Sequence, residues 1–324
     1  MHRLRALFDP FIVMLLGTVL LATVLPARGL FVPVVSSAAT AAIVALFFLH
    51  GAKLSRTAIV AGASAWRLHL CVLAATFIVF PVFGLIVAHL PFLSPMVASG
   101  LLFLTLLPST VQSSIAFTAI ARGNVAAAVC SASFSNLLGI VVTPLLVTLT
   151  MGGVGGGAGV GFSWASAETI ALQLLLPFVL GHLLRPWIGG FVTRHKALVI
   201  GVDRGSILLV VYAAFGAAVV EGLWSRISPG SLLLIAALSL VLLGAILAAT
   251  WFGGRALGFA REDAIVLQFC GSKKSLASGV PMAGVLFPAA QVGVAILPLM
   301  IFHQVQLIAC AALARRYAAQ AAEA

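Results

Sequence analysis

Acidic side chains are scarce in this chain. Only 7 of its 324 residues are Asp or Glu, and charged residues of both signs make up 8%. Soluble domains carry about a quarter, so a soluble globular fold is excluded. The acids Asp9, Glu168, Asp203, Glu221, Glu262, Asp263 and Glu323 read as span-end or loop residues. A cation site balanced by a buried carboxylate therefore has none to use. Cysteine is equally sparse. Cys71, Cys130, Cys270 and Cys310 lie inside apolar runs at unrelated spacings, which excludes a disulfide framework and a clustered metal set. They read as buried free thiols. No nucleophile–base–acid set, Walker loop or dinucleotide fingerprint is found in proper context. The chain is therefore expected not to be an enzyme and not to drive transport with ATP on its own.

What the chain has instead is apolar length. Hydrophobic residues make up 62%, and they form runs long enough to cross a bilayer. The fold class expected is an all-α polytopic membrane protein. Ten spans are read at 10–27, 30–50, 68–90, 95–121, 124–150, 166–186, 199–222, 231–252, 263–286 and 290–314. The basic start and apolar run at the N-terminus imitate a signal peptide. Without a good cleavage site they read as an uncleaved first span.

The net charge of +11 is spread over short loops. That distribution argues against nucleic acid and for membrane lipid as the partner. Of the 18 lysines and arginines, all but Arg28, Arg226, Lys273 and Lys274 fall on one side of the ten-span layout. The positive-inside rule then puts both termini in the cytoplasm.

The Gly-rich stretch at 151–162 divides the chain into residues 1–150 and 163–324, each with five spans. An odd number of spans per half gives the halves opposite orientations, the arithmetic of an inverted-topology repeat. Two spans at matching places in the halves are interrupted by polar residues. Span four contains LLPSTVQSSIAFTAIA and span nine contains FCGSKKSLASGVPMA. Placing Ser114 over Ser275 sets Gln112 against Lys273 and Ser113 against Lys274. Interrupted spans in corresponding positions point to a transporter's binding site, so fourth and ninth helices are expected to be discontinuous and to cross.

Two adjacent lysines at bilayer depth cost roughly 2.5–3.5 kcal/mol each on insertion scales. Positive charge without an acid would attract an anionic substrate and repel sodium. The residues expected to hold the substrate are Lys273, Lys274, Ser272, Ser275, Gln112, Ser113, Ser114 and Asn136. A buried lysine can also release and regain a proton, which makes a proton one candidate coupling ion. His182 in span six and His303 in span ten are the proton-relay candidates. Gln304 and Gln306 follow His303 and are placed to face the same cavity.

With these segments laid out, the chain resembles the bile acid:sodium symporter family, in its SBF-like bacterial branch. PSTVQSSIAFTAIARGN through SNLLGIVVTPLL looks like the family's fourth and fifth spans, and GSKKSLASGVPMAGVLFP like its ninth. The resemblance implies a panel domain from spans one, two, six and seven and a core domain from spans three to five and eight to ten. It implies substrate in the cleft between them and alternating access. It also implies two sodium ions around the crossing, held by span-four polar groups, span-five hydroxyls, and a glutamate and a glutamine in span nine. Carried onto this chain, the span-four serine falls on Ser114 and the asparagine after it on Ile115. A span-five hydroxyl falls on Ala132, the glutamate on Cys270 and the glutamine on Lys274. What is left is a degenerate sodium site near Ser114, Ser133 and Cys270.

The function expected is a secondary active transporter of an organic anion with altered or absent sodium coupling. A conventional sodium-coupled symporter and a non-transporting regulatory membrane protein stand beside it as alternatives. No cofactor is expected beyond sodium or a proton as coupling ion.

Overall fold

The computed structural model describes residues 10–53, 65–151, 168–169, 171–226 and 228–323. Among them there is no strand. The helices are α1 (Pro10–Val24), α2 (Phe31–Lys53), α3 (Trp66–Ala88), α4 (Pro95–Thr105), α5 (Gln112–Ile120), α6 (Val125–Met151) and α7 (Ala171–Arg194). They continue with α8 (Lys196–Val220), α9 (Leu223–Arg226), α10 (Pro229–Ala256), α11 (Arg261–Gly271), α12 (Leu276–Leu286) and α13 (Ala289–Glu323). Residues 152–162 of the Gly-rich connector lie outside the described residues, as does Asp9.

Seven helices among the described residues are long and apolar enough to cross a membrane: α2, α3, α6, α7, α8, α10 and the Gln291–Ala321 stretch of α13. The sequence reading expects ten. The first expected span is a helix of 15 residues, Pro10–Val24. The fourth and ninth are each a pair of short helices, α4 with α5 and α11 with α12. Pro108 explains the first break, because it has no N–H to offer the preceding turn.

The chain divides into two compact units. One takes residues 1–54, 159–228 and 280–296; the other takes 55–158, 229–279 and 297–324. In the first unit α2 packs on α7 and α8, and α8 packs on α1. Asp203, expected at a span end or in a loop, lies within α8 instead. It pairs there with Lys53 at the end of α2. An opposite charge within reach makes a carboxylate tolerable inside the helix. Arg204 lies over the Phe11 ring at 5.5 Å.

In the second unit α3 packs on α4 and α6, and α11 packs on α3, α5, α6 and α10. The start of α6 is tied to the start of α11 through Asn124. Its Oδ1 accepts from Ala127 N at 3.0 Å, a helix N-cap, and its Nδ2 donates to Asp263 Oδ1 at 2.9 Å. Asn124 N donates to Glu262 O at 3.2 Å. Losing an N-cap of this kind costs about 1 kcal/mol. Asn124→Ala is expected to cost at least that much stability, because the bond to Asp263 goes with the cap, and to show as a lowered thermal midpoint of the purified protein.

Candidate functional site

The site lies in the second unit, where the breaks of both spans fall. Backbone accounting explains its shape. Helix α3 contains a π turn over Ala75–Val79, in which Phe80 N donates to Ala75 O. Thr76 O then loses its usual α-helical donor. The donor one residue further on would be Pro81, which has no N–H. Thr105 O, at the end of α4, would accept from Ser109 N in a continuing helix. Ser109 N donates to Ser135 Oγ on α6 instead, at 3.0 Å. Leu106 O accepts from Thr143 Oγ1 at 2.8 Å, and Pro108 O accepts from Ser275 N at 2.9 Å. The last bond joins the two breaks directly.

Two carbonyls without helical donors, with Leu107 O between the broken halves, converge on one group. Lys274 Nζ donates to Thr76 O at 2.8 Å, to Thr105 O at 2.7 Å and to Leu107 O at 2.7 Å. An ammonium has three hydrogens, so all its donors are used. The Phe80 ring lies 4.3 Å from the same nitrogen. The lysine is fully buried. It sits at the C-terminal end of α4, where the helix dipole favours a cation.

The Lys274 backbone is held as firmly as its side chain. Its N–H donates to Gln306 Oε1 and its carbonyl accepts from Gln306 Nε2, both at 2.9 Å. Gln306, on α13, is buried. It thereby pairs with the unwound residue much as a neighbouring strand would.

Lys273 turns elsewhere. Its Nζ donates to Ser113 O at 2.9 Å and lies 3.9 Å from the Phe117 ring centroid and 5.1 Å from that of Phe269. This lysine is also fully buried. Two aromatic faces offset part of the cost of dehydrating it.

Hydroxyl groups close the rest of the crossing. Ser275 Oγ caps α12 by accepting from Ser278 N at 3.1 Å, and Ser278 Oγ donates to Asn136 Oδ1 at 2.7 Å. Ser114 Oγ donates to Phe269 O at 3.2 Å, and Thr110 Oγ1 lies 2.8 Å from Ser113 Oγ. Gln112 is exposed at the start of α5, whereas Ser272 is buried beside the lysines.

The structure therefore brings Lys273, Lys274, Ser113, Ser114, Ser275 and Asn136 into one bonded neighbourhood. Of the residues expected around a sodium ion, Ser114 is bonded as above, while Cys270 Sγ faces Ala128 O at 3.8 Å within an apolar cluster. Ser133 is half-buried. No group of three or more His, Cys, Asp or Glu able to hold a metal ion occurs among the described residues. The two histidines fall in different units. His182 is on α7 of the first, and its Nδ1 is buried without a hydrogen-bond partner. His303 is on α13 of the second, with Nδ1 2.8 Å from Gln306 Nε2.

Sequence reasoning missed Thr76, Thr105 and Ser278, and it gave Gln306 no specific contact. One signal was available for Thr76. A proline inside an otherwise apolar span strands a carbonyl about one turn earlier, and Pro81 stands five residues after Thr76.

Residues 9–319 match the SBF-like CPA transporter family. The protein of Escherichia coli (strain K12) named "Putative symporter YfeH" is 54% identical over 320 residues, covering 98% of this chain and 95% of that one. "Sodium/bile acid cotransporter 7" of Xenopus tropicalis is 25% identical over 272 residues, covering 82% and 78%. The mouse protein of the same name is 26% identical over 272 residues, covering 82% and 79%.

Proposed function

Because the chain belongs to the SBF-like CPA transporter family, whose members are multi-pass membrane proteins, we propose a specific form of transport for it. It is a secondary active transporter of a small organic anion across a bacterial inner membrane. It works by alternating access, with a lysine ammonium built in where a coupling sodium ion would otherwise be held. Both termini face the cytoplasm, as the loop charges suggest. The spans number ten in two inverted halves, with α4–α5 and α11–α12 as the matching broken pair. The panel is spans one, two, six and seven, all in the first compact unit; the core takes the second unit together with residues 280–296 of spans nine and ten.

One observation carries the reading: the fully buried Lys274 ammonium on three backbone carbonyls at 2.7–2.8 Å. Carbonyl oxygens drawn together without a carboxylate are the ligands of a monovalent cation. Here the cation is covalently attached, so no metal ion has to be recruited from solution. With every donor used, Lys274 supplies charge to the site rather than a direct contact. Lys273 has one carbonyl bond and two ring contacts. It is the ammonium proposed to meet the anion, with Ser272, Ser275, Gln112, Ser113, Ser114 and Asn136 shaping the site around it. A proton then replaces sodium as the coupling ion.

Proteoliposomes test this directly. Organic anions that raise the melting temperature of the purified protein are loaded and their flux is followed under separate sodium and pH gradients. The expected flux is unchanged when choline replaces sodium and responds to the pH gradient. Flux that collapses without sodium would establish the sodium symporter suggested by the relatives' printed names.

A further inference from the structure

Three hydrogen bonds around Gln306 determine each other. Lys274 N–H can only donate, so the Gln306 atom facing it must be the amide oxygen. The amide nitrogen then faces Lys274 O, and its second hydrogen faces His303 Nδ1 at 2.8 Å. His303 Nδ1 is consequently the acceptor, and the neutral ring carries its proton on Nε2. Protonating the ring puts a hydrogen on Nδ1 and sets two donors against each other. Rotating the amide by half a turn relieves that contact. It also turns the amide nitrogen toward Lys274 N–H and the amide oxygen toward Lys274 O, which loses both bonds.

We propose that His303 is a proton-operated positioning residue: neutral, it locks the Gln306 amide onto the backbone of Lys274, and protonated, it releases that backbone at the crossing. This deepens the proposed function, on which it rests, by naming the group through which a proton would act. His303 is partly exposed, while Gln306 is fully buried. A proton can therefore arrive at one end of the relay and be felt at the other.

The cations on the elements that meet α13 are Arg67 on α3, Arg255 on α10 and Arg261 on α11, with Arg315 and Arg316 on α13 itself. The break between α11 and α12 brings Lys274, with its ammonium on three carbonyls, and Lys273, with its ammonium against Phe117 and Phe269. Cys270 comes from α11, Cys310 from α13 itself, and His69 from α3, where its Nδ1 lies 2.7 Å from Ser131 Oγ. The unit's carboxylates are Glu262 and Asp263, in the first turn of α11, and Glu323 near the end of α13. None of the bonds described above brings a carboxylate to His303.

The test needs no substrate. Hydrogen exchange of the Lys274 amide is followed in the full-length protein from high to low pH and corrected for the intrinsic rate. In the wild type, protection is expected to fall by about tenfold as His303 takes up its proton, the factor one buried hydrogen bond contributes. His303→Phe is expected to show no such fall, and Gln306→Leu to show low protection throughout. Nitrogen-15 NMR of histidine-labelled wild type provides a reading that needs no variant to fold. It is expected to show the Nε2–H tautomer of His303 at high pH and loss of the Gln306 contact at low pH. Protection independent of pH in the wild type, an unchanged fall in His303→Phe, or an Nδ1–H tautomer would overturn the proposal. Transport is read separately. Protection that follows His303 in a protein carrying no anion flux keeps the relay and removes the transport reading; sodium-driven flux with flat protection removes the relay.

Discussion

Lys274→Met is expected to abolish anion flux and to destabilise the protein by about 3 kcal/mol or more. Three buried carbonyls lose their donor at once, and a stranded buried acceptor costs roughly 1–3 kcal/mol. Removing the ammonium also removes its own dehydration cost, which keeps the net value near the lower end. Thermal unfolding in detergent measures the stability, and proteoliposome flux measures the function. Lys274→Ala adds a sharper readout. With the side chain gone, the carbonyls of Thr76, Thr105 and Leu107 are left to an ion from solution. Sodium is expected to raise the melting temperature of Lys274→Ala and to leave that of the wild type unmoved. Equal sodium stabilisation of both proteins would show that the lysine does not stand in for the ion.

The second large effect is expected at Gly84. A Cβ built there would lie 2.1 Å from Thr105 Oγ1 and 2.8 Å from Thr105 Cβ, so α3 and α4 touch through a glycine. Gly84→Val forces Thr105 aside, and the Thr105 carbonyl is one of the three that hold Lys274. Overpacking of this kind costs about 1–3 kcal/mol in a well-packed core, and the displaced carbonyl adds to it. A fall in melting temperature and loss of flux are both expected. Gly253→Ala is the control, because a Cβ there meets nothing within 4 Å, and it is expected to leave both readouts unchanged. A Gly84→Val protein with wild-type stability would mean that α3 and α4 are not held this closely.

The apolar runs made the membrane class legible, since so few charges leave no soluble alternative. The two breaks were legible too. Pro108 cannot continue a helix, and consecutive lysines do not sit inside a regular apolar span without a purpose. Where each lysine points was not legible. Adjacent residues in an unwound segment have no fixed angular relation, so Lys273 reaching Phe117 and Lys274 reaching Thr76 follow from tertiary packing alone. The same limit hid Gln306. One amide in a long apolar helix carries no local sign that it will pair with a backbone. The expectation that the two ammonium groups hold or neutralise an anion rests on charge. Charge does not reveal that one of them has spent all its hydrogens on carbonyls.

The proline after Phe80 leads to a comparison across lineages. Thr76 O is open to Lys274 because residue 81 has no amide hydrogen to return to it. An ordinary residue at 81 would bring a competing donor from within α3, and Thr76 O would hold the ammonium less strongly. Imino acid and lysine lie in different segments, one in α3 and one in the break between α11 and α12, and do not need to touch, yet each suits the chain only in the other's company. They should be inherited as a pair. Homologues that have exchanged the lysine for a neutral side chain should be free to lose the proline as well.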